Sequence, residues 1–239
     1  MEKQRLLPDK MKILSGSMLK LIAVLTMLID HTASYLLPRS FVLFSVAGKN
    51  IYLYPIMRGI GRLAFPLFAF LLVEGFIHTR NRVRYGVSLI VCAALSEIPW
   101  NLVHSGKLTC QSQNVFFTLL LGFAGLCVID KLKDHPIIET IVLIGLGALS
   151  VAAKADFAIL GYAFIILIYA LRNYEIFRVM TAFLLNMHWY ALIAFLPISM
   201  YNGKRGFIKG PVLKYAFYAF YPVHLLVFYF IKLSLGHFS

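Results

Sequence analysis

Long apolar stretches recur along almost the whole of this chain, at 17–37, 57–77, 85–104, 114–130, 136–153, 156–171, 177–200 and 212–235. About 20 apolar residues, rising 1.5 Å each, cross the roughly 30 Å of a bilayer's hydrocarbon, so stretches of this length read as transmembrane helices. The fourth and sixth are short, which leaves their ends soft. Composition points the same way: 60% of residues are hydrophobic and 14% charged, where a soluble domain carries about 25% charged residues. The expected fold is all-α, a polytopic transmembrane helix bundle of about eight spans (range about 8–10). No Pro/Gly/Ser-rich linker divides it, so residues 1–16 form a basic N-terminal segment and 17–236 a single membrane domain. The segment 40–56 is too short and too polar to span and reads as an interfacial or re-entrant loop.

A net charge of +13 from 23 Lys and Arg raises nucleic acid as a partner. These cations lie between the apolar stretches rather than along one face, and no nucleic-acid-binding motif accompanies them, so no nucleic acid is expected. They read instead as topology-setting loop charges that touch the head groups of the lipid bilayer. With the N-terminus inside and eight spans, thirteen Lys and Arg, among them Lys12, Arg82, Lys131 and Lys232, fall inside. Nine, among them Arg39, Lys107, Lys154, Lys204 and Arg205, then fall outside, with Arg62 left out as intramembrane. The basic loop 202–214 sits awkwardly outside, unless 177–200 is two segments broken near Asn186–His188. The apolar run 18–29 resembles a signal peptide, but Asp30 and His31 interrupt it and it resumes at Tyr35, so no cleavage is expected. Cys92, Cys110 and Cys127 show no CxxC spacing, and neither a disulfide framework nor a metal site is expected.

Ionisable side chains near the centre of a membrane helix cost about 2.5–3.5 kcal/mol on insertion scales, so they face cavities or pair with one another. The first stretch, MLKLIAVLTMLIDHTASYLL, carries Asp30 and His31. Neighbours on a helix point about 100° apart, so Asp30 cannot orient His31 as a next-turn partner would. His31 is a candidate general base, because imidazole exchanges protons near neutral pH; the alternative is a structural Asp–Arg bridge beside a hydrogen-bonded histidine. In MRGIGRLAFPLFAFLLVEGFIHTR, Arg58 and Arg62 share a face, Gly59 and Gly61 admit a close backbone, and Pro66 predicts a kink. Arg62 suits a partner for Asp30 or a phosphate, Arg58 can snorkel to the interface, and Glu74 suits a partner for His78. Glu97, Asn101 and His104 form one polar stripe at i, i+4 and i+7, although Pro99 disturbs it. Asn114 is equally an N-cap or a ligand group. Lys154-Ala155-Asp156 is a cavity loop or an exposed turn with a salt bridge, and His224 stands inside the last stretch one turn after Pro222. Asn186 and His188 read as a helix break. No GxSxG, GxxxxGK[ST], HExxH or GxGxxG motif occurs. These residues alone describe a membrane transferase and a proton-coupled membrane transporter almost equally well, with a scaffold subunit of a secretion or pilus machine as a third reading.

Seven blocks in order, LKLIAVLTMLIDH, GRLAFPLFAFLLVEGFIHTRN, SEIPWNLVHSG, QNVFFTLLLG, KADF, YNGKRG and FYAFYPVHLL, resemble the TraX family of bacterial membrane proteins from about residue 18 to 235. TraX is associated with N-terminal acetylation of conjugative pilin. The family is similar to wider transmembrane acyltransferases, the acyltransferase-three group and heparan-α-glucosaminide N-acetyltransferase. The resemblance implies an enzyme of the bacterial cytoplasmic membrane with its N-terminus inside. It would move an acetyl group from acetyl-CoA to an amine or hydroxyl on an acceptor protein or glycan, without a metal, and homo-oligomerisation stays open. The first-helix histidine regarded as catalytic in the acyltransferase-three proteins corresponds to His31, with Asp30 tuning the charge beside it. Those proteins carry a second histidine about eleven positions after their arginine; here Arg62 is followed by Val73-Glu74, which puts Glu74 in that polar role. Arg62, Lys154, Lys204 and Arg205 would hold CoA. Arg58, Glu74, Glu97, Asn101, Asn114, Asp156 and His224 would line the acceptor site or its cavity.

Overall fold

A computed structural model describes residues 6–46, 48–185, 189–208 and 210–236. Helix α1 (Gly16–Leu36) starts where Ser15 supplies an N-cap, its hydroxyl accepting from the Met18 amide. The segment expected as a polar loop forms a small antiparallel hairpin, β1 (Val42–Val46) and β2 (Lys49–Tyr52), which is the one departure from helix among the described elements. Its β-branched and aromatic residues favour an extended pleated strand.

The second apolar stretch is two helices, α2 (Leu53–Gly61) and α3 (Ala64–His78). The interruption lies at Arg62–Leu63, a turn before the kink expected at Pro66. Pro66 falls inside the first turn of α3, where a missing N–H costs no helical bond. Then follow α4 (Arg82–Ser105), α5 (Val115–Lys131), α6 (Pro136–Ala152) and α7 (Ala158–Ala170). Stretch 177–200 is three short helices, α8 (Glu175–Leu184), α9 (Trp189–Ile193) and α10 (Phe195–Ser199). The expected break at Asn186–His188 lies outside the described residues. Helix α11 (Pro211–Ser234) closes the bundle. Among the described residues, four helices are long and apolar enough to cross a membrane: Gly16–Leu36, Leu53–His78 taken through its interruption, Arg82–Ser105 and Val212–Ser234. Phe70, Phe76, Leu126, Phe164 and Ile165 fill the main core, while Leu95, Ile141, Ile144 and Phe230 face outward. An apolar exterior over an apolar core is what a lipid solvent permits.

Hydrogen bonds between loops sort the two ends of the bundle and correct the expected topology. Leu14 donates to the Met200 carbonyl and Asn202 to the Leu14 carbonyl, 3.0 and 2.9 Å, and the Ser17 hydroxyl donates to the Arg205 carbonyl at 2.8 Å. Loop 201–208 therefore lies at the end where α1 begins, not at the opposite end. Since Glu175 binds the Leu6 amide at that same end (2.8 Å), α8–α10 enter the bundle and return. The last helix then runs the other way from the expected one. Lys232 donates to the Val103 carbonyl at 2.8 Å, at the end where α1 finishes, where Tyr35 meets His104. Among the described residues, Lys10, Lys12, Lys20, Arg80, Arg82, Arg84, Lys131, Lys133, Arg172, Arg178, Lys204, Arg205 and Lys214 belong to the first end. Arg39, Lys49, Arg58, Lys107, Lys154 and Lys232 belong to the second. Thirteen against six is a stronger bias than the eleven against eight that the expected topology gives for the same residues.

This arrangement predicts that single cysteines placed at Lys204→Cys and Lys131→Cys, in a protein lacking Cys92, Cys110 and Cys127, react with an impermeant maleimide from one side. Lys107→Cys and Lys154→Cys should react from the other. Labelling of position 204 together with 107 would refute the returning path of α8–α10.

Candidate functional site

Helices α1 and α2 meet through residues that the sequence places one or two turns apart. Gly61 lies so close to α1 that a Cβ there would collide with the Asp30 carboxylate, and one at Gly59 would strike the Tyr190 ring. This contact lets Arg58 bind Asp30, Nη1 to Oδ2 at 2.5 Å. Both side chains are mostly shielded, 25% and 19% exposed, so the bond is less screened than a surface pair. Asp30 Oδ1 is buried and has no hydrogen-bond partner among the described residues. Arg58, expected to snorkel, is thus the partner that spacing suggested for Arg62.

Arg62 instead lines a cavity of about 320 Å³, together with Asp30, His31, Asp156 and Tyr221 and an otherwise apolar wall that includes Met27, Phe65, Phe68 and Ala191. Both members of the Asp30-His31 pair reach it, tied to different neighbours. His31 Nδ1 lies 2.7 Å from His224 Nε2 on α11, and His224 Nδ1 donates to the Phe220 carbonyl at 2.8 Å. Tyr35, one turn on, packs its ring 5.3 Å from that of His31 and hydrogen-bonds His104 Nε2 at 3.1 Å, whose Nδ1 donates to the Trp100 carbonyl at 2.9 Å. Aromatic rings therefore hem His31 in.

Asp156 arrives from the short loop between α6 and α7. That loop is fixed by bonds from the Gln113 amide to the Lys154 carbonyl (2.9 Å) and from the Ala158 amide to the Ala155 carbonyl (2.8 Å). On either side of Asp156, Lys154 and Ala158 hold φ of 51° and 41°, a left-handed conformation that costs side-chain-bearing residues of order 1 kcal/mol or more. Asp156 is exposed where it lines the cavity, with protein crowding the other side of its carboxyl. That crowding, together with the Asp30 carboxylate, pushes its carboxyl up to about 6 against the opposing pull of Arg62 and Arg58. The expected alternative for this segment, a turn closed by a Lys154–Asp156 bridge, does not form among the described contacts; Lys154 is exposed.

The remaining expected site residues lie elsewhere, each with a structural task. Asn114 caps α5, its Oδ1 accepting from the Phe116 amide (3.0 Å), and its Nδ2 donates to Glu97 at 2.7 Å and to the Ala93 carbonyl at 2.9 Å. Asn101 Nδ2 donates to the Leu108 carbonyl at 2.8 Å. These three fasten the α4–α5 hairpin and do not line the cavity. Glu74 is at the other end, 3.7 Å from His78 and bonded to Tyr201, so it does not stand in for a second catalytic histidine. Lys204 and Arg205 sit where α1 begins, about 22 Å from His31 by the rise of the helix. His188 and Asn186 lie outside the described residues. Tyr35 and Tyr221 were missed: a tyrosine in an apolar stretch carries no charge signal, and the i to i+4 relation of His31 to Tyr35 was the clue available.

A helical bundle with an apolar exterior encloses a charged, histidine-bearing cavity. The TraX protein family model matches residues 15–232, and the chain belongs to the TraX family. It is also similar to the probable fimbrial assembly protein FimC, serogroup H1, of Dichelobacter nodosus. The two are 31% identical over 242 residues, covering 88% of this chain and 93% of that one. No solved structure matches it significantly.

Gly61→Ala should force α1 and α2 apart and lower stability by about 1–3 kcal/mol. Asp30→Ala and Arg58→Ala should each cost about 2 kcal/mol, and the double variant clearly less than their sum. Thermal unfolding in one detergent measures all four; full additivity would show that the ion pair does not couple the helices.

Proposed function

We propose that this chain is a membrane-bound acetyltransferase, in which His31 accepts a proton from an amine or hydroxyl acceptor as that group attacks the thioester of acetyl-CoA. The observation that carries the reading is the convergence of His31, Asp30, Arg62 and Asp156 on one largely apolar cavity in a TraX-family chain. Low-dielectric surroundings strengthen each electrostatic contact to a developing oxyanion, and Arg62 is the cation placed to make one. The ionisable residues also fall into separate groups, with Glu97 in the α4–α5 hairpin and Glu74 at the far end. A proton-coupled transporter would need them as one continuous relay.

The bias of thirteen cations to six supports the end holding Lys204 and Arg205 as the cytoplasmic one, with the N-terminus inside. The chain would then cross the bacterial cytoplasmic membrane seven times, through α1, α2–α3, α4, α5, α6, α7 and α11, with α8–α10 re-entrant. Acetyl-CoA would set its phosphates against Lys204 and Arg205 and extend its pantetheine arm toward Arg62, while Lys154 flanks the acceptor's approach from the other side. The name of the Dichelobacter relative supports a fimbrial or pilin-like subunit as the acceptor.

Purified protein should show saturable thermal stabilisation by acetyl-CoA, worth about 2.7 kcal/mol at a hundredfold excess over Kd. His31→Ala should keep that stabilisation and lose acetyl transfer by on the order of 10²–10⁴-fold. Unchanged transfer by His31→Ala would remove the proposed base, and an absent response to acetyl-CoA would remove the donor.

A further inference from the structure

The hydrogen bonds behind His31 decide which of its nitrogens is the base. The Phe220 carbonyl can only accept, so His224 Nδ1, 2.8 Å away, carries hydrogen. A neutral His224 then has a bare Nε2, and the atom 2.7 Å from it, His31 Nδ1, must be the donor. His31 Nε2 is left as the free lone pair. Ring geometry supports a true bond: the two imidazoles are within 5° of parallel with centroids 5.0 Å apart. With the nitrogens 2.7 Å apart, that centroid spacing requires the rings to meet end to end along the N–H···N line. His224 is 6% exposed, and Phe220, Tyr221 and Phe228 surround it, so water does not compete for the bond.

We infer that His224 is a positioning residue that fixes His31 in the Nδ1–H tautomer, the part a carboxylate plays behind histidine in many hydrolases, and that, unlike such a carboxylate, it also shares the proton His31 collects. This rests on the acetyl-transfer reading for its use, though not for its geometry. Asp30 does not fill the part: Arg58 holds its Oδ2, and His31 Nδ1 meets His224 instead of Asp30 Oδ1. In the transfer step the acceptor's N–H or O–H bond breaks toward His31 Nε2 while its heavy atom bonds the acetyl carbon and the C–S bond breaks. The Nδ1 proton moves along the hydrogen bond to His224 Nε2, so the positive charge spreads over two rings and onto the dipole of the Phe220 carbonyl. That proton returns to His31 Nδ1 by the same line, and the one taken up on Nε2 leaves on the CoA sulfur. Free histidine prefers the other tautomer, with hydrogen on Nε2, which would offer the acceptor a donor where a base is needed.

The test is nitrogen-15 NMR of histidine-labelled protein in nanodiscs, with His31 and His224 signals assigned by substitution, beside acetyl transfer by His224→Gln and His224→Leu. The wild type should show both rings as Nδ1–H tautomers, with His31 reverting toward Nε2–H in His224→Leu. Transfer should fall on the order of 10²-fold or more in His224→Leu, and less in His224→Gln, whose side-chain carbonyl still accepts from His31. A wild-type His31 bearing hydrogen on Nε2, or a well-folded His224→Leu with wild-type transfer, would overturn the role. If the tautomers are as expected but no variant or wild type moves acetyl groups, the acetyl-transfer reading fails while the histidine pair stands.

Discussion

The bond between Asp30 and Arg58 is the constraint on which the cavity depends. Two charges in an apolar bundle are tolerable only as a pair, and pairing here requires α2 to lie flat on α1, with Gly61 against the Asp30 carboxylate. Once α2 is seated, the chain leaves it at Arg62–Leu63, and that interruption directs the Arg62 side chain into the space behind His31. A second constraint acts from the opposite wall. The strained Lys154–Ala158 loop, held by Gln113, delivers Asp156 to the same space.

Three histidine-bearing helices, α1, α4 and α11, are tied together by polar bonds in an apolar setting. His31 to His224 joins α1 to α11, and Tyr35 to His104 joins α1 to α4. Both partner histidines spend Nδ1 on a backbone carbonyl four residues earlier in their own helices. The carbonyl removes rotational and tautomeric freedom from each ring at once, and this makes the resting state of His31 a consequence of helix geometry.

Much of this was legible in the sequence, for physical reasons that also mark the boundary. Apolar stretches revealed the helices because lipid tolerates little else, and Asp30, His31, Arg62, Asp156 and His224 stood out because charge and imidazole are costly there. Hydropathy could not reveal that α8–α10 double back, since an apolar stretch reads alike whether it crosses or returns; the ill-placed Lys204 and Arg205 and the polar Asn186–His188 were the symptoms. Spacing showed that Glu97 and Asn101 share a face but not what that face meets, and it meets Asn114 and the Leu108 carbonyl. It likewise offered Arg62 as the partner of Asp30 where Arg58 is the one that binds it, because the two lie on the same face one turn apart.

In the proposed reaction the thioester of acetyl-CoA comes to His31. A cryo-electron microscopy structure in nanodiscs with a non-transferable acetyl-CoA analogue addresses it directly. The account predicts density for the acyl end in the cavity, with its carbonyl about 3–3.5 Å from an acceptor-sized space facing His31 Nε2, and the nucleotide toward Lys204 and Arg205. An analogue bound saturably elsewhere, with the His31 cavity unentered, would contradict it.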